Sequence, residues 1–337
     1  MKRNMFRILC GCVLGCGLSA ALTGCKNGDA EFDDFEGGTT TFFAYQYPVR
    51  TIVLGDDDYD TTGDKAGKCQ IQATFGGSYN GSNGTVEIAV DPTLCDGLTF
   101  EDGSPVTPMP SDYYTLSTTS LQFKGTFKGI AEVQLTDAFF NDAKAAGKTY
   151  VIPVVMVSQT GFGKILTGTL KEGGKAVRTD ASQWDVQPMD YVLYCVKFQN
   201  KYSGYWLTNG NTSTDNIEKA GNVQIKCRSL NESVYTVSFQ QGDQMYSADL
   251  LLTFSGDRNS TQNQCTITSL TDGVTASGNG TFTDNGEKAS WGNKDRDLME
   301  LSYTVDFGGG VTFSRQEKLV WYRSGIKTEE FVPVYVK

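Results

Sequence analysis

The chain contains no histidine, so any chemistry it performs must come from aromatic rings, carboxylates, amides, lysines and thiols. All four tryptophans, Trp184, Trp206, Trp291 and Trp321, fall in its second half, with Tyr191, Tyr194, Tyr202, Tyr205, Tyr303 and Tyr322 around them. A flat ring stacks on the apolar C–H face of a pyranose while nearby amides and carboxylates take its hydroxyls, so such rings facing solvent would hold an oligosaccharide. The stretch 201–206, Lys-Tyr-Ser-Gly-Tyr-Trp, sets three rings around a polar, glycine-containing turn. Trp291 is the one large apolar residue of the polar stretch 287–295, with the Asn293 amide two places on. Trp291, Trp206, Tyr205, Tyr202 and Asn293 are therefore the candidate ligand contacts. The competing reading of the same rings is that they fill a core, as large aromatics usually do.

Without histidine there is no Ser-His-Asp triad, no imidazole base and no histidine metal site. Asp56, Asp58 and Asp60 imitate the start of a calcium loop. The sixth position is Thr61 where glycine is needed, however, and the twelfth is Gly67 where a bidentate glutamate is needed. A solvated acidic turn accounts for these acids better. Glycoside hydrolysis needs only two carboxylates, and Asp249, Asp295, Asp297, Glu300 and Glu317 are among those on offer, none marked out by an apolar setting. Phosphate-binding loops, dinucleotide fingerprints and nucleophile elbows are missing. The sequence predicts no catalytic residue, no cofactor and no metal. A net charge of −10 without a basic patch argues against nucleic acid as a partner.

Lys2, Arg3 and Arg7 precede an apolar run over 8–22, and Leu22-Thr23-Gly24-Cys25 follows. Residues 1–24 thus read as a secretory signal peptide, whose apolar run is too short to span a bilayer comfortably. Leu22-Thr23-Gly24-Cys25 resembles a bacterial lipobox, which implies that Cys25 becomes the lipidated first residue. Cleavage there would remove three bases and no acid, leaving a net charge near −13. Acyl chains alone would then hold the protein at the membrane, at ~0.8 kcal/mol per buried CH₂. Residues 25–38 are polar and acidic and read as a solvated tether. Behind a lipidated cysteine such a stretch resembles the surface-export signal of Bacteroidetes lipoproteins, which implies an outer-membrane anchor and exposure at the cell surface. Cys69, Cys95, Cys195, Cys227 and Cys265 are odd in number, so at least one is unpaired within the chain. Small buried apolar positions suit most of them, with room for one disulfide in either half.

Two bodies are expected beyond the tether. In 39–170, Val86, Ile88 and Val90 alternate with Glu87 and Ala89, and Asp91-Pro92 ends that strand. The segment 136–146 predicts one short helix, capped by Thr136 and stopped by Gly147. The run 150–157 is apolar on both faces like a central strand, yet Pro153 inside it demands an edge or a bulge. Short strands with one helix in such a span predict a β-sandwich. Residues 171–183, with Gly173-Gly174, read as a linker. Residues 184–337 read as an antiparallel β domain, barrel or sandwich, turning at Asn209-Gly210-Asn211, Asp272-Gly273, Asn285-Gly286 and 308–310. The fold class is all-β.

Several stretches carry a resemblance to a known family. Thr85-Val86-Glu87-Ile88-Ala89-Val90-Asp91-Pro92-Thr93-Leu94, Asp112-Tyr113-Tyr114-Thr115-Leu116 and Tyr150-Val151-Ile152-Pro153-Val154 resemble the N-terminal, DUF1735-type domain of a large family of Bacteroidetes lipoproteins. That resemblance implies an immunoglobulin-like sandwich for the first body. Trp184-Asp185-Val186 through Tyr191-Val192-Leu193-Tyr194, followed by Gly204-Tyr205-Trp206-Leu207, resembles a C-terminal domain that accompanies it. In anchoring and layout such chains resemble the accessory glycan-binding lipoproteins of starch-utilisation-type systems. The implied partners are an oligosaccharide, an outer-membrane transporter complex, and the membrane through the lipid anchor. Two alternatives stay open: a structural or protein-interaction lipoprotein, transporter-associated or fimbria-like, and a glycoside hydrolase. If the lipobox reading holds, Cys25→Ala abolishes metabolic labelling with a fatty acid and moves the protein from the membrane fraction to the soluble one.

Overall fold

Alternation with period two builds the first body, because every second side chain of a strand faces the same way. The strand Lys68–Gly76 turns Cys69, Ile71, Ala73 and Phe75 inward, and Ser82–Val90 does the same with Val86 and Ile88. The computed structural model describes residues 33–208 and 221–336. The expected signal segment, Cys25, the start of the expected tether and the turn expected at Asn209-Gly210-Asn211 lie outside the described residues. Two curled sheets form an Ig-like sandwich. One runs in the order Lys164–Ile165, Thr40–Phe42, Lys68–Gly76, Lys128–Leu135, Tyr114–Leu116. The other runs Glu329–Glu330, Pro48–Val53, Tyr191–Gln199, Tyr150–Thr160, Ser82–Val90, Ser120–Thr126. Ile71, Ala131 and Val133 of the first sheet meet Val86, Ile152 and Val154 of the second in one core.

The Pro153 conflict resolves at the end of a ladder. Tyr150–Thr160 is central, but its pairing with Ser82–Val90 stops at Val154↔Val90. Pro153 faces the point where that partner strand leaves the sheet, and its carbonyl accepts from Asp91 N at 2.9 Å. No ladder bond is lost there.

The boundary between the bodies moves. Tyr191–Gln199, expected in the second body, lies in the first, antiparallel to Tyr150–Thr160 and parallel to Pro48–Val53. The expected linker is a loop of that same body: Thr169–Leu170 pairs with Trp184–Val186, and Trp184 Nε1 donates to Val177 O at 2.8 Å. After the barrel the chain returns, so that Glu329–Glu330 pairs with Pro48–Val53 and Val334–Tyr335 with Leu98–Thr99. The single helix expected over 136–146 is two pieces, an α-turn Asp137–Asn141 and a 3₁₀ turn Ala143–Ala146. Asp142 interrupts them and caps the second by accepting from Lys144 N, while the Thr136 hydroxyl donates to Asp112 O instead of capping the first.

The acids of the turn make local contacts. Asp56 pairs with Lys65, and Asp60 accepts from Thr62 N at 2.9 Å. Asp58 N donates to the Asp57 carboxylate at 2.7 Å. Asp56 and Asp60 are thus turned to separate partners, and among the described residues no group of acids and thiols is arranged to hold a metal.

The second body is a closed barrel of Gly204–Thr208, Gly221–Cys227, Glu232–Gln241, Gln244–Phe254, Gln262–Ser269, Thr275–Glu287, Arg296–Asp306 and Thr312–Arg323. Closure leaves no exposed edge, which a sandwich would have had to cover. The glycine run 308–310 makes the expected tight turn. Asn285-Gly286 does not: the strand carries on to Glu287 through a bulge beyond Thr283, with Asn285 at φ 49°. Trp206 and Trp321 meet edge to face inside, 5.3 Å apart at 78°. Gly204, at φ 136°, leaves room for the Trp321 ring, which a β-carbon there would strike at 2.5 Å. At the far end Phe239 stacks on Phe313 at 4.6 Å, and the buried Glu317 carboxylate takes Arg315 and the Tyr235 hydroxyl, each at 3.0 Å.

All five described cysteines are free thiols. Burial pushes those of Cys69, Cys95, Cys195 and Cys265 up to about 12, so they pack as small apolar groups. Trp206 is 0% exposed. Trp206→Ala therefore opens a cavity in the barrel and lowers its stability by ~3–5 kcal/mol, read as a fall in the denaturant midpoint.

Candidate functional site

Three neighbouring strands set the site through their outward residues. Along Gly204–Thr208 and Thr312–Arg323, Trp206, Leu319 and Trp321 point in, so Tyr205, Leu207, Val320 and Tyr322 point out. Leu298 does likewise on Arg296–Asp306. Leu207, Val320 and Leu298 form a small apolar bed on the outer wall, and Trp291 and Tyr322 lie on it.

Trp291 reaches that bed from a short 3₁₀ turn, Trp291–Asn293. Left-handed backbone at Ala289 (φ 45°), Gly292 (φ 69°) and Asn293 (φ 54°) folds the loop back on the barrel. The indole Nε1 donates to Trp321 O at 2.8 Å, and the ring meets Tyr322 edge-on at 5.2 Å. The guanidinium of Arg296 lies 3.7 Å from the Trp291 ring centre. The Arg323 guanidinium lies 4.8 Å from the Tyr205 ring and 5.4 Å from the Tyr322 ring. The wall thus carries three half-buried rings, Tyr205, Tyr322 and Trp291, with a guanidinium against each end of the set.

The expected contacts are split by this arrangement. Trp291 and Tyr205 are half-buried on the wall, and Asn293 is exposed in the loop beside it. Trp206 and Tyr202 are core. Tyr202 is stacked on Phe254 at 3.7 Å and 5° inside the barrel, and Trp206 Nε1 donates to Tyr202 O at 3.1 Å. Neither ring can stack on a ligand in this conformation, because inward parity on Gly204–Thr208 buries Trp206 and the turn before that strand tucks Tyr202 into the same core. Tyr322, Arg296 and Arg323 were missed. Their contacts run between strands, and the only trace in the sequence is the run Trp321-Tyr322-Arg323.

A second feature lies where the barrel meets the first body, a cleft of about 220 Å³. Asp56 and Lys65 line it from the first body, and Lys201, Arg258, Asp284 and Asp297 from the barrel. Lys201 is buried. Its Nζ donates to Ser260 O and lies 5.0 Å from the Phe282 ring, and burial lowers its pKa. Arg258 reaches across to the first body, where it pairs with Asp137 at 3.4 Å and covers the Phe140 ring at 4.5 Å. Asp297, 4% exposed, accepts from Asn285 N at 2.8 Å, and burial pushes its carboxyl up to about 7. Burial raises Asp284 as well.

Fold and wall together define a class: an Ig-like sandwich whose sheet is completed by strands on both sides of a closed eight-stranded barrel. Two family models match the chain, one described as an N-terminal domain over 35–163 and one as a domain of unknown function, DUF5627, over 199–325. A crystal structure of a Bacteroides ovatus protein of unknown function is 32% identical, with a TM-score of 0.78, covering 90% of this chain and 100% of that one. The chain belongs to the family of that protein. Two remoter structures, also from Bacteroides ovatus, are 12% identical. One is a multidomain protein including DUF1735 (TM-score 0.35, covering 84% of this chain and 92% of that one). The other is provisionally described as a carbohydrate binding protein (TM-score 0.29, covering 78% and 80%). No curated protein matches the chain.

The buried carboxyl of Asp297 has a measurable signature. The folded chain keeps its proton to about pH 7, whereas the unfolded chain releases it near the ordinary 3.8. The folded state binds more protons between those values, so stability falls as pH rises through that window. Asp297→Asn keeps an oxygen for Asn285 N and removes the titration. The stability advantage of the variant over the parent therefore widens between pH 5 and pH 8, followed by thermal melts at both.

Proposed function

We propose that the protein is a non-catalytic carbohydrate-binding lipoprotein. It would be anchored in the outer membrane and exposed at the cell surface, where it captures oligosaccharide for an outer-membrane uptake system. The observation that carries this reading is the row of half-buried rings, Tyr205, Tyr322 and Trp291, on the outer wall of the barrel. Trp291, fixed by its hydrogen bond and by apolar packing, loses little freedom when a sugar lies on it, so stacking there costs little ordering entropy. Such a surface gains affinity from amphipathic contact without needing a deep pocket. The lipobox-like start and the acidic tether support the place, and the Ig-like body supports a spacer that carries the barrel away from the membrane.

Affinity electrophoresis and a glycan array with the soluble chain starting after Cys25 test the reading. A binding glycan quenches tryptophan fluorescence, and Trp291→Ala or Tyr322→Ala weakens binding roughly three- to tenfold, from the ~0.5–1.5 kcal/mol of an aromatic contact. Circular dichroism establishes that the variants remain folded. Absence of binding across plant, mucin and fungal glycans would overturn the reading in favour of a protein-interaction role. Release of free sugar, lost on changing Asp284 or Asp297, would replace it with hydrolysis.

A further inference from the structure

The described residues include seven arginines. Five of them sit against a carboxylate: Arg50 on Asp64, Arg178 on Asp190, Arg228 on Glu232, Arg258 on Asp137 and Arg315 on Glu317. The other two, Arg296 and Arg323, have no carboxylate partner among the described residues, and both belong to the ring wall. The chain has no shortage of acids, with Asp+Glu 39 against Lys+Arg 29. Arg296 is only 8% exposed, and its Nε is buried without a hydrogen-bond partner. Stacking on Trp291 offsets part of the cost of that burial but satisfies none of the N–H donors. A buried donor left unpaired on a charged group is costly. The neighbouring carboxylates are already committed: Asp295 is held by Lys288 at 2.9 Å and Glu287 by Lys318 at 2.7 Å. Asp297 lies on the opposite parity of its strand, facing the cleft.

We infer that the wall selects an anionic glycan, one whose pyranose rings lie on Tyr205, Tyr322 and Trp291 while its carboxylate or sulfate groups meet Arg323, with the charge of Arg296 close behind. The inference rests on the carbohydrate reading above and adds the class of sugar. A guanidinium presents a planar fork of donors that matches a carboxylate or a sulfate two bonds at a time, which an ammonium does not. The exposed Arg323, held between two tyrosine rings, makes the first contact. Arg296 is positioned from below Trp291, and its charge favours an anion near that ring. The acidic surface elsewhere opposes polyanions, but at physiological ionic strength its reach is only about 8 Å, so two local cations can prevail.

Retardation in affinity gels is compared for polygalacturonate, which carries carboxylates, chondroitin sulfate, which carries both groups, and a neutral galactan. The expected result is retention of at least one anionic polymer about tenfold above the neutral one, weakening as salt is raised. Comparison of the two anionic arms shows whether sulfate adds to carboxylate. Arg323→Gln loses most of the anionic advantage, Arg323→Lys restores only part of it, and Arg228→Gln, away from the wall, leaves it intact. Equal retention of neutral and anionic glycans, unchanged by Arg323→Gln, overturns the anionic inference while leaving capture standing. Retention of no glycan overturns both. Equal retention by polyglutamate would also overturn it, since charge alone would then suffice.

Discussion

One ladder decides the character of the second body. Gly204–Thr208 pairs with Thr312–Arg323 to close the barrel, and Trp206 and Trp321 face each other across that seam. The two faces of the ladder do different things. Inward, the indoles fill the barrel end together with Tyr202 and Phe282. Outward, Leu207 and Val320 provide the bed on which Trp291 and Tyr322 rest. Trp291 is also tied to the seam directly, because its indole hydrogen bond ends on the backbone carbonyl of Trp321. The wall and the core are thus the two sides of one strand pair. A disturbance of the seam reaches both at once.

A satisfied polar knot holds this barrel against the first body. Asn200 is buried at the point where the chain leaves Tyr191–Gln199. Its amide donates to Ser229 O at 2.7 Å and Glu232 O at 3.0 Å, and its carbonyl accepts from Ser203 Oγ at 2.6 Å and Tyr202 N at 3.2 Å. Every group of the side chain is used, which makes a buried amide fix a geometry at little cost. Gly55 packs against the Lys201 backbone close by, where a β-carbon would lie 3.2 Å from its Cα. With Arg258 bridging to Asp137 and Phe140 on another side, the mouth of the barrel is seated and the charged cleft is what remains between the surfaces.

Much of the fold was legible in the sequence because sheets write themselves in period two. Val86 and Ile88, read as one buried face, are buried, and the glycine run 308–310 turns as its composition demands. The domain boundary was not legible. Tyr191–Gln199 is apolar on both faces, which marks a central strand but does not say which sheet it enters, and its partners lie far off in sequence. The choice of barrel over sandwich has the same cause, since closure is a property of the first and last strands and not of any local stretch. The candidate site was half visible. Trp291 stood out in a polar loop, but Trp206 and Tyr205 are adjacent, and nothing local states which of two neighbours faces in. The guanidiniums of Arg296 and Arg323 find their rings across the chain, a pairing with no signature in spacing.

The return of the chain after the barrel has a consequence for the order of assembly. Strand Pro48–Val53 is flanked by Tyr191–Gln199 on one edge and by Glu329–Glu330 on the other, so the sandwich takes its last strands from either side of the inserted barrel. A nascent chain cannot finish its first domain until some 280 later residues have arrived, a long closure that slows folding. The barrel, whose contacts are mostly between successive strands, can form earlier and bring the two distant segments together. The domain made second would then serve as the template on which the domain made first is completed.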